Sequence, residues 1–159
     1  MLDSVDYKVL ECLQDKGRMS WSELAAILNL SQSSTADRVK RLEEKGFIKG
    51  YAAILDYKAL GIDLMAFIVV DLDKPVNRSE FVKQVIGTKE IEECYHIAGE
   101  GDFLLKVRCK NIDALEILIS DTIKSIPGVI KTVTTMVLSS VKEKDVLISN
   151  KSKIKRNVR

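Results

Sequence analysis

Residues 20–46 read SWSELAAILNLSQSSTADRVKRLEEKG, and this stretch decides the fold of the first third of the chain. Ser20 and Glu23 have the spacing of a capping box, which predicts that a helix begins near residue 21. Residues 29–31 interrupt the helical pattern, and the serines that follow offer several caps for a second helix ending at Gly46. Two short helices joined by a tight turn predict a helix-turn-helix.

A further helix is predicted before this pair, because Asp3 precedes apolar residues at helical spacing and Gly17 follows them. The apolar residues are Val5, Val9, Leu10 and Leu13. After the three helices comes a strand-like segment, residues 47–55 (FIKGYAAIL), which is broken at Gly50 and predicts a wing hairpin or its return strand. The sequence therefore predicts a winged helix-turn-helix domain over residues 1–55.

The third helix carries the prediction of DNA binding. If Ala36, Val39 and Leu42 face the core, hydroxyl and cationic side chains lie near the opposite face. In a helix-turn-helix, the first turn of this helix meets base edges, and nearby cations hold phosphates. The residues predicted at the bases are Ser33, Ser34, Thr35 and Arg38, and those predicted at phosphates are Lys40 and Arg41; Gln32 is also predicted to bind DNA. The alternative is a solvated polar face, since acidic residues of the same helix dilute its positive charge.

The pattern changes to strands and longer helices beyond residues 56–62, which are predicted to form a linker. The predicted elements are strand 64–70, helix 79–86, strands 91–98 and 103–109, a helix capped by Asn111, and strand 129–141. The order βαββαβ predicts a ferredoxin-like domain over residues 63–148, and hence an α+β chain. We expect its open sheet face to expose apolar residues such as Phe67, Val69 and Met136 and to support self-association.

The turn Gly99-Glu100-Gly101-Asp102-Phe103, between the second and third strands, is the candidate ligand site. Two glycines permit positive φ and a close backbone approach. A lone carboxylate beside bare amides suits the ammonium and carboxylate groups of a zwitterion. The alternative is an ordinary hairpin in which Asp102 only caps the turn.

Several separated motifs share their order with a known family. They are Leu2-Asp3 with Asp6 and Leu10, Arg38-Val39-Lys40-Arg41-Leu42-Glu43 followed by Gly46-Phe47-Ile48, Gly50-Tyr51-Ala52, Glu93-Cys94, Gly99-x-x-Asp102-Phe103 with Leu105, and Pro127-Gly128-Val129 leading to Thr132-x-Thr134. With them the chain resembles the Lrp/AsnC, or feast/famine, regulators from residue 1 to about residue 148.

The resemblance implies a DNA-binding dimer whose C-terminal RAM domains pair through their sheets, commonly assemble into tetramers of dimers, and bind amino acids between dimers. It places the recognition helix at residues 31–45. The effector-binding residues that it implies are Gly99, Gly101, Asp102, Thr132 and Thr134. The chain departs from the family pattern at Gly101, where many relatives carry a side chain, and at Gln32, which replaces a frequent proline.

The net charge of +2 arises in the tail, where residues 151–159 hold five basic and no acidic side chains. A basic tail over residues 149–159 could touch phosphates, and a frayed solubilising end is the alternative. Neither a membrane-spanning run nor a signal sequence is evident, so we expect a cytoplasmic protein with no membrane partner.

Catalysis has little support, because His96 is the only histidine and no nucleophile motif or phosphate loop is present. Three separated cysteines without a C-x-x-C pair predict neither a zinc site nor a disulfide. We therefore expect no catalytic residue, metal or cofactor, although certain haem-precursor decarboxylases have a similar double-domain pattern. The expected function is sequence-specific transcriptional regulation modulated by a small amino acid. The alternative is a ligand-independent architectural protein that wraps DNA.

Overall fold

The computed structural model describes residues 2–143 of the 159-residue chain. They form two compact units, one extending to Ile54 and one spanning Leu55–Lys142, each with its own hydrophobic core. The predicted basic tail, residues 149–159, lies outside the described residues, and so does the end of the predicted second domain.

The first unit contains three helices, each of which begins at a residue that caps it. They are α1 (Ser4–Asp15), α2 (Trp21–Leu28) and α3 (Gln32–Glu44). Asp3 and Asp6 form a capping box at the start of α1, and Ser20 and Glu23 form the one predicted at the start of α2. Ser31 caps α3 through its hydroxyl, which accepts a hydrogen bond from the Ser34 amide. Local polar residues therefore set where all three helices begin.

A left-handed residue makes the turn between α2 and α3. Asn29 has a φ of 54°, and its amide donates to the carbonyls of the last turn of α2. Asparagine adopts this conformation at lower cost than most residues other than glycine. The turn brings Leu24 against Val39 and Leu42, all of which are buried. The predicted helix-turn-helix is confirmed.

The predicted wing is not formed within the described residues. Ile48 packs against the three-helix core, and the Tyr51 hydroxyl donates to Glu43 at 2.9 Å, but residues 47–55 contain no strand. Ile54 is fully exposed. A strand-like sequence becomes a strand only where a neighbour supplies backbone partners. No segment between residues 2 and 143 does so here, which corrects the prediction of a hairpin.

The predicted linker is folded against the second unit. Asp56 accepts a hydrogen bond from the Ala59 amide at 3.0 Å, and the Ile62 amide donates to the Tyr57 carbonyl at 2.9 Å. The guanidinium carbon of Arg108 lies 4.0 Å from the centre of the Tyr57 ring, a cation–π contact. Residues 56–62 are thus anchored to the sheet by a side-chain contact.

The second unit is an antiparallel sheet with two helical segments. Its elements are β1 (Leu64–Leu72), α4 (Arg78–Gly87), β2 (Ile91–His96), β3 (Phe103–Cys109), α5 (Ile112–Ile117, continued by a π-helical turn over Leu118–Ile123) and β4 (Val129–Met136). The strand order is β2-β3-β1-β4, so β1 is paired on both edges. This is the predicted ferredoxin-like βαββαβ arrangement.

Side chains alternate between the two faces of the sheet along each strand, and helices cover only one of these faces. Ile68, Leu105 and their neighbours are buried against the helices. On the other face, one apolar row crosses all four strands in register. The row consists of Val133, Val69, Leu104 and Tyr95. Met136 pairs with buried Ala66 and so belongs to the helix-covered face, which corrects its predicted place on the open face.

Candidate functional site

The start of α3 presents exposed polar groups. The Ser31 hydroxyl lies 2.9 Å from the Ser34 hydroxyl and 3.1 Å from the Ser33 hydroxyl. Gln32, Ser33, Ser34 and Lys40 are all exposed. The free amides of a helix start also favour an anionic partner. This end of α3 therefore offers hydroxyl, amide and cationic groups suited to DNA.

Thr35 lies in the core instead of on this surface. It is fully buried, and its hydroxyl donates to the Ser31 carbonyl at 2.9 Å. The buried face of α3 consists of Thr35, Val39 and Leu42. Thr35 therefore takes the buried position that was predicted for Ala36. The threonine is buried because its hydroxyl finds a local acceptor and its methyl group packs. This corrects the prediction that Thr35 contacts bases.

Arg38 and Arg41 face acidic residues of α1. Arg38 Nη1 lies 2.7 Å from Asp3 Oδ2 and 2.7 Å from Asp6 Oδ1, and Arg41 Nη2 lies 2.9 Å from Asp6 Oδ1. Asp6 is only 3% exposed. The two arginines thus lie on the flank of α3 next to α1 and not opposite its buried face. Sequence reasoning missed this pairing, although the acidic first turn of α1 was a signal for it.

The Asp6 carboxylate is held in its charged form. Burial alone would raise its pKa, but hydrogen bonds from the Asp3 amide and from both arginines outweigh burial, so the pKa of Asp6 is lowered. The pKa of Asp3 is also lowered, chiefly by the hydrogen bond from the Asp6 amide and then by Arg38. The four side chains form a compact, charge-balanced cluster between α1 and α3.

The ligand turn is tied to the end of β1. The Asp102 amide donates to the Val70 carbonyl at 2.9 Å, and Asp102 Oδ2 accepts from the Leu72 amide at 2.8 Å. Gly99 and Gly101 have φ values of 141° and 88°. A Cβ at Gly101 would overlap Val69 Cγ1, so glycine permits this close approach without a shift of Val69. One Asp102 oxygen therefore has a structural role, while Oδ1 has no hydrogen-bond donor among the described residues.

The two threonines lie on β4, and β1 separates this strand from β3, which follows the turn. Thr132 pairs with Val70, the residue whose carbonyl binds the turn, and Thr134 pairs with Ile68 further along. At roughly 4.8 Å per strand spacing, the strands that carry Thr132 and the turn are about 10 Å apart. The structure thus brings Thr132 to the same end of the sheet as the turn, while Thr134 lies one pleat further away.

Arg78 was not singled out from the sequence. It is the first residue of α4, and its guanidinium carbon is 6.0 Å from the centre of the Phe103 ring. Phe103 directly follows Asp102 in the chain. Its Nε is buried without a hydrogen-bond partner among the described residues. A lone arginine after a proline-containing loop offers no pattern that would reveal this position. It adds an unsatisfied cationic donor near the turn.

The comparisons with known proteins agree with this architecture. Residues 2–49 match the family model described as winged helix-turn-helix DNA-binding, and residues 65–147 match the Lrp/AsnC ligand binding domain. The chain is 41% identical over 144 residues to the proline dehydrogenase transcriptional activator of Rhizobium radiobacter, covering 89% of this chain and 92% of that protein. It is 36% identical over 149 residues to the leucine-responsive regulatory protein of Escherichia coli K12, covering 92% and 91%.

Solved structures show the same fold. A Neisseria meningitidis transcriptional regulator in complex with L-Met superposes with a TM-score of 0.87 at 32% identity, covering 91% of this chain and 94% of that one. Escherichia coli AsnC gives a TM-score of 0.85 at 27% identity, covering 92% and 98%. The chain belongs to the Lrp/AsnC family. It is accordingly a transcriptional regulator with a DNA-binding helix-turn-helix and an amino-acid-binding domain, and not an enzyme.

Two features are absent from residues 2–143. No helix in this range is long and apolar enough to cross a membrane. No group of three or more histidine, cysteine, aspartate or glutamate side chains in this range is arranged to hold a metal ion.

The lowered pKa of Asp6 makes the stability of the fold depend on pH. Because the folded pKa lies below the unfolded value of about 4, the ionised carboxylate stabilises the folded state above pH 4, and this contribution is lost as the pH falls through the folded pKa. We expect Asp6→Asn to lower the unfolding free energy by about 1–3 kcal/mol at neutral pH and by less in acid. Urea unfolding across pH measures this, with Asp15→Asn as an exposed control. A loss that is the same at every pH would contradict it.

Proposed function

We propose that this regulator binds DNA sequence-specifically and that a small amino acid modulates its DNA binding or its assembly. The observation that carries the proposal is the turn at the end of β1, where Asp102 Oδ1 is left unpaired beside two glycines in unusual backbone conformations. The turn lies within the domain that matches the Lrp/AsnC ligand binding domain. We place its action in the cytoplasm.

On DNA, the start of α3 enters the major groove. Gln32, Ser33 and Ser34 are exposed and lie nearest the base edges. Lys40, whose side chain is 73% exposed, holds a phosphate. Arg41 is 45% exposed and keeps donors beyond the one bound to Asp6, so it reaches a phosphate more readily than Arg38, which two carboxylates hold.

At the turn, Asp102 Oδ1 accepts a hydrogen bond from the ammonium group of the effector, and the amides of Gly99 and Gly101 border its carboxylate. Arg78 supplies a second partner for that carboxylate through its guanidinium, whose Nε has no hydrogen-bond partner among the described residues. Thr132 fits the site better than Thr134, because it pairs with Val70 at the level of the turn. The Neisseria meningitidis relative was solved with L-Met, which supports an amino-acid ligand without naming the one used here.

Self-association occurs through the open face of the sheet. The row Val133, Val69, Leu104 and Tyr95 leaves apolar area uncovered, and Val133 and Tyr95 are 47% and 51% exposed. Burying such a row against a second copy is favourable, and a two-fold axis then presents two recognition helices to DNA. We further propose that dimers assemble into tetramers of dimers, with the turn at the interface between dimers.

The second candidate is an architectural protein that wraps DNA without a ligand. The hydrogen bond from the Leu72 amide to Asp102 Oδ2 favours it, because this bond gives the carboxylate a structural role that needs no ligand. On this alternative, Gly101 serves only to pass the chain over Val69, and Gly99 serves only to turn the backbone.

Lys40→Ala tests the DNA-facing surface of α3. Removing one phosphate contact weakens binding to all sequences alike and reduces the salt slope by about one unit. Fluorescence anisotropy with duplex DNA over a range of salt concentrations measures both effects. Lys83→Ala removes the same charge from the exposed surface of α4 and serves as the control. An unchanged slope for Lys40→Ala would place the DNA on another surface.

Leu104→Arg tests the sheet face. A charge in the middle of the apolar row opposes its burial, so the wild type should sediment as a dimer or larger particle and the variant as a smaller one. Analytical ultracentrifugation at micromolar concentration measures this difference. Gln84→Arg, on the exposed surface of α4, should leave the sedimentation unchanged. A monomeric wild type would rule out association through this face.

Asp102→Asn tests the effector site. Asparagine can still accept the bond from the Leu72 amide through its carbonyl oxygen, but it loses the charge that binds an ammonium group, which costs about 1.5–3 kcal/mol, or about tenfold or more in affinity. Calorimetry with the standard amino acids measures binding to each protein, and Asp113→Asn on α5 is the control. DNA binding by the free variant should survive. Absence of binding to the wild type would favour the architectural alternative, and equal binding to the wild type and Asp102→Asn would show that the turn is not the effector site.

A further inference from the structure

The acidic start of α1 neutralises cations on the helix that faces DNA. Arg38, Lys40 and Arg41 are the cations within α3, and Asp6 accepts hydrogen bonds from two of them. Asp3 adds a second carboxylate at 2.7 Å from Arg38. Lys40 has only a loose ion pair, 3.8 Å from Glu44, and both of these side chains are largely exposed. The positive charge that α3 offers to phosphates is therefore much smaller than its sequence suggests.

We propose that Asp3 and Asp6 compete with DNA phosphates for Arg38 and Arg41 and thereby limit the affinity of this regulator for non-cognate DNA. Binding to non-cognate DNA is driven almost entirely by cations that displace counterions from phosphates. Because the carboxylates of Asp3 and Asp6 already bind the two guanidinium groups, fewer cations of α3 are free to displace counterions from phosphates. Cognate binding also draws on hydroxyl and amide contacts to bases, which the carboxylates do not oppose.

The geometry gives the two arginines different roles. Arg38 donates to two carboxylates and its side chain is 24% exposed, so it is held in the folded protein. Arg41 is 45% exposed and bound at one nitrogen, so Asp6 neutralises it only in part. Asp6 is in turn fixed by its burial and by the bond that Asp6 Oδ2 accepts from the Asp3 amide at 3.1 Å. Asp6 thus neutralises Arg38 and, in part, Arg41.

Asp3→Asn tests the charge of Asp3 without loss of the helix cap, because asparagine caps helices as well as aspartate does. It removes one of the two charges that hold Arg38. Asp6→Asn removes the charge shared by both arginines and should have the larger effect. Asp15→Asn, exposed at the end of α1, changes the net charge of the protein by the same amount and serves as the control.

The experiment measures the affinity of the full chain for a duplex of scrambled sequence by anisotropy, between about 50 and 200 mM salt. Asp3→Asn and Asp6→Asn should bind the scrambled duplex more tightly and steepen the salt slope by up to about one unit for each cation released. Asp15→Asn should match the wild type. In an Arg38→Gln background, Asp3→Asn should have no further effect, because its partner is gone.

A purely structural role for the acidic pair would give the opposite result, with weaker binding and an unchanged or shallower slope. That outcome in Asp3→Asn, or an equal gain in Asp15→Asn, overturns the proposal. If circular dichroism shows that Asp6→Asn does not fold, the proposal is tested by Asp3→Asn in the wild-type and Arg38→Gln backgrounds. The proposal rests on α3 facing DNA, which Lys40→Ala tests separately. If Lys40→Ala changes the slope and Asp3→Asn does not, only the competition between carboxylates and phosphates is rejected.

Discussion

β1 is hydrogen-bonded along both edges, and the geometry of the second unit depends on this constraint. A strand paired on two sides cannot shift by one residue without moving every side chain to the wrong face. The turn uses the fixed end of this strand, since the Val70 carbonyl and the Leu72 amide both bind Asp102. The sheet therefore shapes the turn before any ligand arrives, and a ligand would find a largely preformed site.

The first unit depends on polar contacts at helix starts more than on a large core. Its helices are short, and isolated helices of such length are marginal in water. Asp3 and Asp6 cap α1 and at the same time bind Arg38 of α3, so one pair of side chains both begins a helix and joins it to another. Stability and presentation of the recognition helix are therefore coupled in this unit through electrostatics.

The features that the sequence predicted well are those set by neighbouring residues. The capping box at Ser20 and Glu23 and the βαββαβ order were confirmed, because local spacing determines them. The errors concern tertiary partners. Thr35 has the polarity of a surface residue, and only its hydrogen bond to the Ser31 carbonyl makes its burial favourable. The pairing of Arg38 with Asp6 spans 32 residues of sequence, beyond the reach of any helical period.

The candidate ligand site was only partly predictable for the same reason. The residues of the turn could be named from the sequence, but the bond from the Leu72 amide to Asp102 Oδ2 depends on β1 lying beside β3. Arg78 could not be named, because its place beside Phe103 follows from how α4 packs on the sheet. Residues 47–55 have strand-like composition, but composition does not supply a partner strand.

The contact between Gly101 and Val69 has an evolutionary consequence. A Cβ at Gly101 would overlap Val69 Cγ1, so a substitution there would require Val69 or the turn to shift. Gly99 is different, because a Cβ there would meet open space and the main cost would be the unusual backbone conformation. Descendants of this chain can therefore change the turn more readily by substitution at position 99 than at position 101, although the two glycines are separated by a single residue.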